Sequence, residues 1–295
     1  MKNVIVITGG AGFVGANLIS FLLKNTKYKI LSIDNYSSGL KINHIKNKKV
    51  KYIKGNTKNI STLLNSKKNK INAIFHFGEF SRIYQSFLKM GECIDSNTVG
   101  SHAVFNFCLN NKIKLIYSAT SASLGNKGRD KDLSPYAFTK SINLELLENL
   151  KRWFKMKYEI IYFYNVYGPR HISIGNMATV IGIFENAYKN KKPLPIVRPG
   201  TQSRKFTHIS DTVKVCYDAW KKNKCRHYSI SSKKDYSILE VAKLFGSKIK
   251  LLPTRDGERY ASALSNMNLS NKVYKNFGRI SLKTYIEKFK NRHKR

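Results

Sequence analysis

"VIVITGGAGFVGANLI" (residues 4–19) sets three glycines, Gly9, Gly12 and Gly15, three apart between an apolar run and an amphipathic one. A glycine inside a helix costs about 1 kcal/mol relative to alanine, so packing alone argues against this spacing. A strand that turns sharply into a helix explains it. Gly9 allows the turn out of the strand, Gly12 lets a pyrophosphate come close to the backbone, and Gly15 lets the helix that begins near Phe13 pack against the sheet. The positive end of that helix then faces the phosphates.

The same alternation continues outward. VIVIT (4–8), KILSID (29–34), KYIK (51–54), NAIFHF (72–77), IKLIYS (113–118) and EIIYFY (159–164) are short and rich in β-branched or aromatic residues, as buried parallel strands are. Helical periodicity fills the gaps, most clearly at 13–25, 91–112 and 135–156. The expected fold is a Rossmann-type doubly wound parallel α/β sheet over residues 1–170. Beyond Pro169 the regularity fails, and helices near 177–190, 208–221, 237–245 and 281–291 predict a smaller α/β substrate lobe over 171–295. That boundary is soft, with room for segments to cross back.

Asp34 ends the second strand 19 residues beyond Gly15, the separation a dinucleotide fingerprint requires. A carboxylate there accepts hydrogen bonds from both hydroxyls of an adenosine ribose and repels a 2′-phosphate, which favours NAD over NADP. The chain has 295 residues, 42% hydrophobic and 24% charged, and no run approaches the roughly 18 apolar residues of a membrane span. Neither a membrane partner nor a secretory leader is expected. Four scattered cysteines without metal spacing fit a reducing cytoplasm. The net charge of +37 is spread along the whole length rather than gathered into a stripe. It reads as a solvated lysine surface that attracts anionic substrates, not as a nucleic-acid groove.

Chemistry enters with YAFTK. Tyr136 and Lys140, four apart, share a helix face, and Ser134-Pro135 is a sound helix start. A lysine beside a tyrosine favours the phenolate, so Tyr136 is expected to be a base with a lowered pKa. The hydroxyl-rich YSATSAS (117–123) follows the fifth strand, at the sheet edge where ligands of such folds bind.

Together these residues resemble the extended short-chain dehydrogenase/reductase family, in particular its NAD-dependent nucleotide-sugar epimerases and dehydratases typified by UDP-glucose 4-epimerase. TGGAGFVG (8–15), DNYSSG (34–39), IFHFGEFSRI (74–83), Asn97 with Gly100, YNVYGPR (164–170), GTQSRKFTHISD (200–211) and RDGE (255–258) match its motifs in order. The resemblance implies a catalytic set of Thr120, Tyr136 and Lys140, and no metal. It implies cofactor contacts for Gly9, Gly12, Phe13, Val14, Gly15, Asp34, Asn35, Asn56, Phe77, Gly78, Asn97, Tyr136, Lys140 and Tyr164. Substrate contacts fall to Asn165, Arg204, Arg255 and Glu258, the two arginines on the diphosphate. In the implied mechanism Tyr136 removes the proton of the sugar O4 as hydride leaves C4 for NAD, and the 4-keto sugar rotates and is reduced on its other face.

The chain also departs from the pattern. Asn56 stands where an aspartate usually touches adenine, Leu124 replaces a tyrosine, and Glu79 brings an acid into a turn where small residues are usual. Ser121-Ala122 offers no acid after Thr120, which disfavours the elimination step of a dehydratase. The expected function is C4 epimerisation of a nucleotide-diphospho-sugar. The alternatives are a C4 dehydrogenase or ketosugar reductase, and a non-catalytic NAD binder. The apolar positions Val104, Phe105, Cys108, Leu144, Leu147 and Trp153 are expected, by the resemblance, to pair two copies through a four-helix bundle.

Overall fold

Val4 and Val6 face one apolar layer while Ile5 and Ile7 face another. Successive side chains of a strand point to opposite faces, so a strand apolar on both belongs inside a sheet covered on both sides. The computed structural model describes residues 2–122, 130–225, 227–256 and 273–293. Along the chain run β1 (Val4–Thr8), β2 (Lys29–Asp34), β3 (Val50–Lys54), β4 (Ile71–His76), β5 (Lys114–Thr120), β6 (Tyr158–Phe163) and β7 (Asn165–Tyr167). Then come β8 (Leu194–Val197), β9 (Ser203–His208), β10 (His227–Ser231), β11 (Asp235–Ser237), β12 (Ile249–Leu252) and β13 (Val273–Phe277). The main sheet has eight strands in the order β13-β10-β6-β5-β4-β1-β2-β3, every neighbouring pair parallel. Strand order reverses between β1 and β4, and ligands of open α/β sheets bind outside the carboxyl ends of the strands at that point.

The helices are α1 (Phe13–Asn25), α2 (Ile60–Leu64), α3 (Ile83–Leu88), α4 (Met90–Ile94), α5 (Ser101–Asn110), α6 (Pro135–Phe154), α7 (Val180–Lys189), α8 (Ile209–Lys222), α9 (Ile238–Phe245) and α10 (Leu282–His293). Leu18, Ile19 and Leu22 of α1 and Val213, Cys216 and Ala219 of α8 cover one face of the sheet. Val104 and Phe105 of α5 and Leu147 of α6 cover the other. None of the described helices is long and apolar enough to cross a membrane.

Two expectations change. The helix expected over 91–112 is interrupted: a π-helical turn at Asp95–Gly100 separates α4 from α5. The wide turn brings Asn97 inward, and Gly100 packs so closely that a Cβ there would lie 2.4 Å from the Thr57 hydroxyl. The soft boundary at 170 is crossed, because α8, β10 and β13 return to the first sheet. Polar residues in HYSIS hide β10 from a search for apolar runs, although Ser229 and Ser231 are buried. What remains of the smaller lobe is the β12-β8 pair, the β11-β9-β7 sheet and a core including Phe184, Phe245, Ile286 and Phe289.

Candidate active site

At the strand-order reversal lies a cavity of about 410 Å³, bordered by the glycine loop at Gly9, Gly12 and Gly15 and by Phe13 and Val14 of α1. Gly9 takes φ +70°, and a Cβ there would sit 2.8 Å from the Phe77 and Gly78 backbone, which border the cavity from the turn after β4. A Cβ at Gly15 would come 2.2 Å from the Gly9 carbonyl oxygen. The helix and loop therefore touch backbone to backbone, and only glycine permits it. No side chain caps α1 at Gly12, so the first-turn amides keep no protein acceptor of that kind.

Asp34 is buried at the end of β2 and borders the same cavity with Asn35. Its carboxylate accepts from the amides of Ala11 (2.9 Å) and Tyr36 (2.8 Å). Burial raises its pKa above the usual carboxylate value, while those two amides and His44 pull the other way.

The three expected catalytic side chains meet here. Thr120 ends β5, and Tyr136 and Lys140 lie on the first turns of α6, whose start Ser134 caps by accepting from the Ala137 amide at 3.1 Å. Thr120 hydrogen-bonds the Tyr136 oxygen and thereby favours the phenolate. Lys140 does not act as expected. Its ammonium donates to the Glu79 carboxylate and to the Ser118 carbonyl, both inside the fold. Glu79 also accepts from Ser101 (2.8 Å) and Tyr117 (3.0 Å). The Tyr136 pKa is pushed up to about 12, chiefly by burial and further by Glu79, against the pull of Thr120 and Arg82. The expectation that Lys140 lowers it is thus corrected, because Glu79 has taken the lysine's charge.

Of the remaining expected residues, Tyr164, Asn165 and Arg204 border the cavity. The Tyr164 hydroxyl is engaged with Ser229 (2.8 Å), Asn165 donates to the Lys205 carbonyl (3.1 Å), and Arg204 donates to the Ser203 carbonyl (2.8 Å). Asn56 is not among the lining residues, although its neighbours Gly55 and Thr57 are; its side chain accepts from the Lys58 amide (3.1 Å). Asn97 is fully buried behind the wall, where it accepts from the Phe80 amide (2.6 Å) and donates to the Phe80 carbonyl (3.0 Å). Arg255 is exposed and stacks over Tyr84 at 5.2 Å rather than bordering the cavity. Glu258, and Leu124 among the departures, lie outside the described residues.

Residues 5–231 match the model of the NAD dependent epimerase/dehydratase family. The chain belongs to that family. It is 30% identical over 229 residues to an uncharacterized UDP-glucose epimerase, YtcB, of Bacillus subtilis, covering 71% of this chain and 70% of the relative. It is 27% identical over 266 residues to dTDP-D-glucose 4,6-dehydratase of Dictyostelium discoideum, covering 81% of this chain but only 60% of that longer protein. Among solved structures, UDP-glucose 4-epimerase of Thermotoga maritima superposes with a TM-score of 0.85 at 21% identity, over 99% of this chain and all of the other. That likeness fixes the fold.

The cofactor of this epimerase/dehydratase is NAD, and the residues fit it. Gly12 and the uncapped start of α1 suit a pyrophosphate, and the carboxylate at the end of β2 suits ribose hydroxyls. Sequence reasoning missed Arg82, which lies inside the quoted 74–83 motif and borders the cavity. Nothing local marks it, since what gives it meaning is a carbonyl 95 residues away.

Proposed function

We propose that the chain is an epimerase that inverts C4 of a nucleotide-diphospho-sugar through a 4-keto intermediate, retaining NAD through the cycle. The observation that carries this reading is the Thr120–Tyr136 hydrogen bond opening on the same cavity as the glycine loop and Asp34. NAD, when bound, supplies reversible hydride transfer. Thr120 orients the reacting hydroxyl, and Tyr136 takes the proton of O4 and later returns it. Lys140, fixed by Glu79 and Ser118, is the residue assigned in this reading to the nicotinamide ribose. Arg204 and Asn165 supply donors for the diphosphate and sugar; Arg255 and Glu258 remain candidates from the adjoining segment. Ser121 follows Thr120 where an eliminating enzyme needs an acid, which favours epimerisation over dehydration.

The substrate lobe of this reading is residues 171–295 without α8, β10 and β13, which serve the NAD-binding sheet. The four cysteines are free thiols, as suits a cytoplasmic enzyme. The assembly we propose is a homodimer. The test is NMR on C4-epimeric sugar nucleotides with purified protein and no added cofactor. Interconversion is expected. Net oxidation with NADH release identifies a dehydrogenase instead, and loss of water at C5–C6 a dehydratase.

A further inference from the structure

Two of the charged groups around the cavity are answered from within the protein. Lys140 pairs with Glu79, and Asp34 holds two amides. Arg82, in the loop after β4, has no carboxylate partner. Its Nε and one terminal nitrogen donate to the Met177 carbonyl at 3.0 and 2.6 Å, and the other terminal nitrogen donates to the Ser81 carbonyl at 2.9 Å. Carbonyls hold the guanidinium in place but do not neutralise it. These three bonds also leave part of its five N–H donors unspent.

Arg82 is only half-buried and borders the cavity, and a cation without a carboxylate partner in such a cleft is placed to meet the counter-charge of a ligand. Arg82 and Tyr136, whose oxygen would meet the sugar O4, border the same cavity. Substituents on the ring carbons flanking C4, namely C3 and C5, come nearest to that position. A planar guanidinium with spare donors suits a carboxylate.

We propose that Arg82 recognises a carboxylate carried by the sugar itself, on C5 or through an ether at C3, so that the substrate class is an acidic nucleotide-diphospho-sugar. This rests on reading the cavity as a site for NAD and a nucleotide sugar. The competing role for Arg82 is a clasp that ties the β4 loop to the segment at Met177, with no preference among sugars.

The experiment uses NAD-loaded protein and compares acidic with neutral sugars on one nucleotide at a time. The pairs are UDP- and dTDP-glucuronic acid against UDP- and dTDP-glucose, and UDP-N-acetylmuramic acid against UDP-N-acetylglucosamine. Calorimetry gives affinity, and NMR gives kcat/KM for interconversion. The wild type is expected to favour the acidic member of one pair at least tenfold, and which pair responds tells C5 from C3. Arg82→Met should erase that preference while still binding NAD, and Arg82→Lys should restore part of it. Equal handling of acidic and neutral sugars, or equal loss of both in Arg82→Met, overturns the inference in favour of the clasp. Conversion of neutral sugars alone overturns it while leaving the epimerase reading intact. If no nucleotide sugar binds NAD-loaded protein, that reading falls and takes the inference with it.

Discussion

Glu79 puts a full negative charge beside groups whose work is to move hydroxyl protons. Its pair with Lys140 is almost wholly buried, and removing one partner of such a pair costs about 3–5 kcal/mol. Glu79→Gln should therefore lower the urea midpoint. It should also lower the Tyr136 pKa, since a nearby anion disfavours the phenolate. A base that ionises more easily reaches its active form at lower pH, so the rising limb of kcat/KM against pH is expected to move down. A limb that stays in place would mean that Glu79 acts on structure alone. Tyr136→Phe should keep NAD and lose about 10²–10⁴-fold in turnover, with Thr120→Ser mild by comparison. Thr120, Tyr136 and Lys140 were legible because a strand end and an i, i+4 spacing are local facts. The partner that captures Lys140 was not, since it lies 61 residues away and no short pattern couples the two.

At the scale of elements, glycine placement separates close packing from mere tolerance. Gly15→Ala would drive a methyl into the Gly9 carbonyl, pushing α1 off the loop. Overpacking of this kind costs about 1–3 kcal/mol, and the displaced helix start should weaken NAD binding as well. Gly91, in α4, has nothing within 4 Å of where its Cβ would be. Gly91→Ala should stabilise the fold by about 0.5–1 kcal/mol and leave NAD affinity unchanged. Urea unfolding and calorimetry on the two variants check both halves. The six strands read from apolar runs emerge within a residue or two because central strands of a parallel sheet are apolar on both faces. The break between α4 and α5 was hidden because a π-turn keeps helical composition and alters only the hydrogen-bond register.

For the whole molecule, stability should fall with acid before most carboxylates titrate. His76 is fully buried between Thr8 (2.7 Å) and Ser101 (3.0 Å), and burial pulls its pKa from 6.5 to about 4. Between those values the unfolded chain binds the proton and the folded one does not. Stability is therefore complete above about pH 6.5 and is lost as pH falls toward 4, by roughly 3 kcal/mol. Urea midpoints across that window should flatten in His76→Asn. The proposed dimer draws on a surface that only partly coincides with the one read from sequence. Of the positions read from sequence, Val104, Phe105, Cys108 and Leu147 are buried against this chain's own sheet and Leu144 is partly buried against the same core, whereas Trp153 is exposed. Met90 and Ile94 of α4 and Phe138 and Ile142 of α6 are exposed as well, on two helices that pack side by side. Exposed apolar side chains on two neighbouring helices suit an isologous two-fold contact. A net charge of +37 on each copy opposes the contact through water, and salt screens that repulsion over about 10 Å at 0.1 M. Light scattering at micromolar concentration should then give twice the chain mass at 0.3 M salt and a lower value at low salt. Phe138→Ser with Ile142→Ser should return the monomer at both, because the apolar burial that outweighs the charge is gone. A wild type that remains monomeric at high salt rejects the dimer.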